Sequence, residues 1–243
     1  MVIFFDTEFT GLVPKTTLIS IGMVAANGKM FYGEFTDFGR WMVDDWQKEN
    51  IFQHTIMRYD EATGWRFDAV NFDKIWASMG MHINPDAYRF RDSYAATSKF
   101  NGSVICFGDS GYIRETLREW LERFATVQFV GDVCHYDMTL LCNLFGGAGD
   151  LPEHVVPICY DICQDICVRK EAVPDEAEYW YADMDGMWNA FDISREKLLE
   201  CWNIPTPAGE KHNALYDAKV IKAIYDHMRR DGAAMLRKDK RDV

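Results

Sequence analysis

The first hydrophobic run, Val2-Ile3-Phe4-Phe5, is too short for a helix and too apolar for an exposed edge, and predicts a buried central strand over residues 2–8. Further apolar runs predict strands near 17–26, 29–36, 103–107 and 127–131, and a short one around 155–159. Residues 37–105 read as a largely helical insertion up to the strand near 103. Leu117, Trp120, Leu121 and Phe124 mark one face of a helix over 111–125, and Met138, Leu141, Cys142 and Phe145 the buried face of one over 136–145. Helices are also expected near 161–170, 194–202 and 213–230, the last striped by Ala214, Ala218, Ile221, Ala223, Ile224 and Met228 and capped by Asn213. Early hairpin-like strands followed by alternating strands and helices predict an α/β chain: a mixed β-sheet flanked by helices, with helical insertions.

Acidic residues fall where these elements end. Strand side chains alternate, so Asp6 and Glu8 share one face, where one cation can contact both. Two acids directly after a buried strand repel each other unless a cation or proton is shared. Asp217 lies in the second turn of the last helix, facing the strand ends, and Asp137 near the start of the helix that follows strand 127–131. Asp132 competes with Asp137 for a role and reads equally well as a turn acid. His212 and Asp217 are five positions apart, about 140° on a helix, so His212 belongs to the loop leading in. An imidazole in that loop is suited to act as a general base.

The length of 243 residues, with 48% hydrophobic and 14% aromatic content, fits one domain over 1–243 with two insertions, near 37–105 and 171–192. No signal peptide or membrane-length apolar run is apparent, so a cytoplasmic setting is expected. Seven cysteines are read as reduced thiols, and Cys159, Cys163 and Cys167, every four residues on one helix, as a buried stripe. The formal charge of −12 sits awkwardly with polyanion binding. Part of it is local, since Glu171–Asp192 holds seven acids and no Lys or Arg, among five aromatic residues. Lys15, Arg58 and a tail of Arg229, Arg230, Arg237, Lys238, Lys240 and Arg241 are the basic candidates.

Three stretches carry a family resemblance: Asp6-Thr7-Glu8-Phe9-Thr10-Gly11-Leu12, Tyr136-Asp137 with Leu140-Leu141, and His212-Asn213-Ala214-Leu215-Tyr216-Asp217-Ala218. In order and spacing they resemble the motifs of the DEDD exonucleases, in the subgroup with a histidine in the last motif. The third is similar to the ribonuclease T branch; the first, with Leu18 to Ala25 and Gly28 to Tyr32, is similar to the mycobacterial polyadenylate-directed branch. The resemblance implies a ribonuclease H-like architecture and a 3′–5′ exonuclease releasing nucleoside 5′-monophosphates. It implies Asp6, Glu8, Asp137 and Asp217 as ligands of two Mg²⁺ (or Mn²⁺) ions, Asp6 bridging and Asp137 acting through water, with His212 as general base. Hard oxygen donors suit those metals. Thr7, Phe9 and Leu12 are implied at the substrate, a single strand with a free 3′ end, RNA favoured over DNA, and the family's habit is a homodimer. A DNA exonuclease for proofreading or salvage, and a catalytically silent nucleic-acid-binding module, are the alternatives. The second motif lacks the asparagine often found before its aspartate.

Overall fold

A computed structural model describes residues 1–60, 64–81, 90, 93–168 and 194–239. The acidic aromatic stretch 171–192 therefore lies outside the described residues, as do the side chains of Cys167 and of the basic tail from 231 onward. The chain is α/β, with a mixed central sheet flanked by helices.

Three antiparallel strands form the middle of the sheet: β1 (Val2–Phe9), β2 (Leu18–Ala25) and β3 (Met30–Phe35). After a 3₁₀ turn at Arg40–Met42 the chain forms α1 (Asp45–Asn50), a separate antiparallel ribbon of β4 (Met57–Asp60) and β5 (Gly64–Phe67), and α2 (Ala69–Ser78). Strands β6 (Ala96–Phe100) and β7 (Ser103–Gly108) return to the main sheet. Then come α3 (Ser110–Leu121), β8 (Gln128–Gly131), α4 (His135–Phe145), β9 (Tyr160–Asp161), α5 (Ile162–Val168), α6 (Arg195–Cys201) and α7 (Ala214–Asp239). The sheet order is β6-β7-β3-β2-β1-β8-β9, with β7 parallel to β3 and β8 parallel to both β1 and β9.

Each face of the sheet is covered, which is why β2 is buried along its whole length. Ile3 and Phe5 of β1 pack with Ile113, Leu117 and Trp120 of α3 and with Leu140, Leu141 and Phe145 of α4. Phe4 points the other way, to Val220, Ile221 and Ile224 of α7 and Leu198 and Leu199 of α6. A third apolar cluster joins Phe72, Ile75 and Trp76 of α2 to Tyr32, Ile105 and Phe107 of the sheet, with Leu215 and Ala218 of α7.

Three expectations are corrected. Among its described residues the insertion is not helical throughout: beside α1 and α2 it contains the β4–β5 ribbon and supplies the edge strand β6. An edge strand covered on one face tolerates the polar run Ala96-Thr97-Ser98-Lys99, in which Ala96 and Ser98 are buried and Lys99 is exposed. The short strand expected around 155–159 is displaced to Tyr160–Asp161, and Val155 makes only an isolated bridge with Val127. Pro152 and Pro157, which lack a backbone N–H to donate, punctuate that segment. Cys159 precedes β9 and is not on a helix with Cys163; it is half-buried against the α3–α4 side of the core, while Cys163 is buried in α5. Among the described residues no helix is long and apolar enough to cross a membrane.

Candidate metal and catalytic site

The parity of β1 divides its motif between the two faces. Asp6 and Glu8 share Phe4's side and turn toward α7, whereas Thr7 turns toward α4. Asn213 caps α7 as expected, its Oδ1 accepting the N–H groups of Leu215 at 3.2 Å and Tyr216 at 3.4 Å. The cap fixes the first turn of α7 above β2, and Asp217 then meets Asp6 and Glu8. One ligand oxygen from each of the three lies within 4.8 Å of the others.

Gly22 makes that approach possible. It pairs with Asp6 across the β1–β2 ladder, and a Cβ there would lie 2.2 Å from the backbone C of Ala214 and the N of Leu215. Only a residue without a side chain admits the helix start so near the strand.

Asp137 joins from the opposite layer. Its Oδ1 accepts both the backbone N–H of Thr7, at 2.9 Å, and the Thr7 hydroxyl, at 2.6 Å. Thr7, implied at the substrate, is thus buried and committed to orienting Asp137. Phe9 is partly buried and stacks on Tyr136 at 5.6 Å, and Leu12 is 73% exposed. Asp132, the competing acid, is held by Arg195 of α6 through Nε and through Nη2 at 2.7 Å. It still adds negative charge near Asp6, Asp137 and Asp217.

Burial, followed by the charges of Asp137, Asp217 and Glu8, raises the Asp6 carboxyl well above its ordinary range; burial with Asp217 and Asp137 does the same to Glu8. Burial pushes Asp137 up to about 6 against the two hydrogen bonds from Thr7. Asp217 is pushed up to about 8 by burial and Glu196, against Lys211 and the backbone N–H of His212. Such a set is relieved by shared protons or by a cation. An all-oxygen carboxylate set fits a hard divalent ion such as Mg²⁺ or Mn²⁺.

His212 lies in the loop before α7, as its spacing from Asp217 requires, with a left-handed φ of 63°. Burial and the neighbouring Lys211 lower its pKa, so the imidazole is neutral near pH 7. The loop is pinned on several sides. Glu210 Oε2 lies 2.6 Å from His54 Nδ1 and its Oε1 is 2.8 Å from Lys74 Nζ, while Lys211 lies 3.5 Å from Glu196 of α6. The buried Lys219 of α7 donates to Ala208 O at 3.1 Å and to Ser78 O and Oγ at 2.8 Å.

Two contributions were missed from the sequence. Trp46 of α1 is 52% exposed and packs edge-on against His212, ring centroids 5.1 Å apart. The fully buried Glu34 accepts hydrogen bonds from the Tyr32 hydroxyl and the backbone N–H groups of Ile56 and Met57, and burial pushes it up to about 8. Tyr32 in turn accepts from Asn213 Nδ2 at 3.1 Å, which ties the insertion to the cap of α7. Nothing in the local pattern links Trp46 to His212; the run Asp44-Asp45-Trp46-Gln47, with its capping-box spacing, was the one signal there. A scan against protein-family models and a search of curated proteins each find no match for this chain.

Proposed function

We propose that the chain is a divalent-metal-dependent 3′–5′ exonuclease with a ribonuclease H-like fold, of the DEDD type with a catalytic histidine. The observation that carries this reading is the convergence of Asp6, Glu8 and Asp217 within 4.8 Å, with the charge of Asp137 acting on Asp6 and the backbone N–H of His212 on Asp217. A nucleic-acid-binding module has no use for buried carboxylates that repel one another.

Asp6, Glu8 and Asp217, completed by Asp137, would hold two Mg²⁺ or Mn²⁺ ions. Bound there, the ions supply Lewis-acid polarisation of the scissile phosphate and charge neutralisation at the departing oxygen. Thr7 keeps the Asp137 carboxylate aimed at the cluster. His212 takes the proton of the attacking water on a ring nitrogen as the new P–O bond forms and the bond from phosphorus to the 3′ oxygen breaks. The products are a nucleoside 5′-monophosphate and a strand one nucleotide shorter, whose 3′ oxygen acquires a proton from solvent. Leu12 and Trp46 offer exposed apolar surface for the terminal bases, where an aromatic contact contributes about 1–3 kcal/mol. Single-stranded RNA is favoured over DNA because the motifs most resemble ribonucleases. A homodimer, suggested by the same resemblance, is tested by light scattering.

The test is degradation of 5′-labelled single-stranded RNA and DNA of equal sequence with Mg²⁺ or Mn²⁺, beside EDTA and Asp6→Ala controls. A ladder shortening from the 3′ end on RNA alone is expected. Shortening of DNA alone moves the assignment to a DNA exonuclease, and binding without metal-dependent cleavage of either leaves a binding module.

A further inference from the structure

The insertion contains a cavity of about 340 Å³ with a composition unlike the rest of this acidic chain. Phe38 and Phe52 form its aromatic base, with ring centroids 5.4 Å apart, and Tyr59 stands at its rim. Arg40, Lys48 and Arg58 also line it. Two of these cations have carboxylate neighbours: Arg58 lies 2.8 Å from Asp68, and Lys48 is 2.9 Å from Asp45 in a pair exposed to solvent. Arg40 has no carboxylate within ion-pair distance among the described residues, and its guanidinium lies 4.1 Å above the Tyr59 ring. Aromatic rings beside cations match a nucleobase joined to a phosphate, the pairing by which single strands are held without reading sequence.

The cavity is next to the candidate site. Trp46 and Lys48 are two positions apart on α1, about 200° around the helix, so they face opposite sides of an element about 10–12 Å across. Trp46 touches His212 and Lys48 lines the cavity. Gln47, between them, donates from Nε2 to the Phe9 carbonyl at 3.2 Å, which fixes the helix to the end of β1.

We propose that this cavity is a nucleotide subsite for the strand 5′ of the scissile end, holding a base against its aromatic wall and the adjoining phosphates on Arg40 and Lys48. The inference rests on the exonuclease reading. It gives a chain with a net charge of −12 a local place to meet a polyanion, through Arg40 and the solvent-exposed Lys48.

Binding is measured in an Asp6→Asn background with Mg²⁺, by fluorescence anisotropy of 5′-labelled RNAs of about 3 and about 12 nucleotides over a range of salt. Arg40→Glu is expected to weaken the longer RNA roughly tenfold and lower its log-log salt slope by about 0.7 for each phosphate no longer neutralised, leaving the shorter RNA unaltered. Tyr59→Ala is expected to weaken the longer RNA without changing the slope. Both residues are exposed, and an unchanged Tm confirms that the variants fold. Unaltered affinity and slope for the longer RNA overturn the inference. Adenosine monophosphate titrated by calorimetry distinguishes a free nucleotide: a second binding event that Arg40→Glu removes, with long-RNA binding unaffected, overturns the assignment to the strand. Mg²⁺-dependent shortening of the longer RNA and its DNA counterpart by the native protein is read separately, and failure on both sinks the exonuclease reading itself.

Discussion

Thr7 spends its backbone N–H and its hydroxyl on one oxygen of Asp137, so the position of that carboxylate depends on a buried neighbouring side chain. Thr7→Val keeps the shape and removes the hydroxyl. The expected outcome is a 10–100-fold fall in kcat with little change in KM, the usual effect of disturbing an outer-shell partner, read from steady-state cleavage of a short RNA. His212 behaves differently, because its place is set by the loop and not by a carboxylate pair. His212→Gln is expected to lower kcat by about 10²–10⁴ while leaving Mn²⁺ affinity, measured by calorimetry, unchanged. A parallel loss of metal binding would mean that the imidazole is a ligand. The shared face of Asp6 and Glu8 and the loop position of His212 were legible from strand parity and helical spacing, whereas the meeting of Asp217 with those two acids was implied by the family resemblance. Thr7's role was not legible, because a hydroxyl between two acids carries no pattern that says which way it donates.

Among the elements, the crossing of β2 and α7 determines whether a site exists. Gly22 leaves no room for a methyl group between the two, and the close approach it permits brings Asp217 to Asp6. Gly22→Ala is expected to destabilise the fold by about 1–3 kcal/mol or more through overpacking, measured by urea denaturation. It should also weaken metal binding at temperatures where the protein remains folded. Central strands were legible because they are continuous apolar runs buried on both sides. The edge strand β6 and the β4–β5 ribbon were not, because a strand with one neighbour or one covered face needs no such run. Val155 shows the converse: Val156 donates to Val127 O and the pairing stops at that isolated bridge, since Pro152 and Pro157 on either side have no N–H to carry a ladder further.

At the scale of the whole molecule, the charge of the site governs how stability responds to pH. Asp6, Glu8, Asp137 and Asp217 all have folded-state pKa values above their unfolded ones. The stability they contribute is therefore fully present below their ordinary values near 4 and is lost as pH rises through the folded values, about 6 for Asp137 and about 8 for Asp217. Without metal, Tm is expected to rise on acidification from pH 8 to pH 5, against a smaller opposing effect from His212, whose pKa is lowered. Saturating Mg²⁺ should raise Tm most at pH 8 and flatten the profile, by mass action on the folded state. Calorimetric scans across that range with EDTA and with Mg²⁺ check it, and a metal-free protein most stable at pH 8 would contradict the arrangement of the acids.

The separation of the first and third motifs along the chain also fixes when the site can come into being. Asp6 is in β1, at the middle of the sheet between β2 and β8, whereas Asp217 arrives only with α7. A ribosome-bound chain that has not yet emitted α7 lacks both Asp217 and a fixed position for His212. On the exonuclease reading proposed above, synthesis itself would delay activity until that helix has emerged from a machine made largely of RNA.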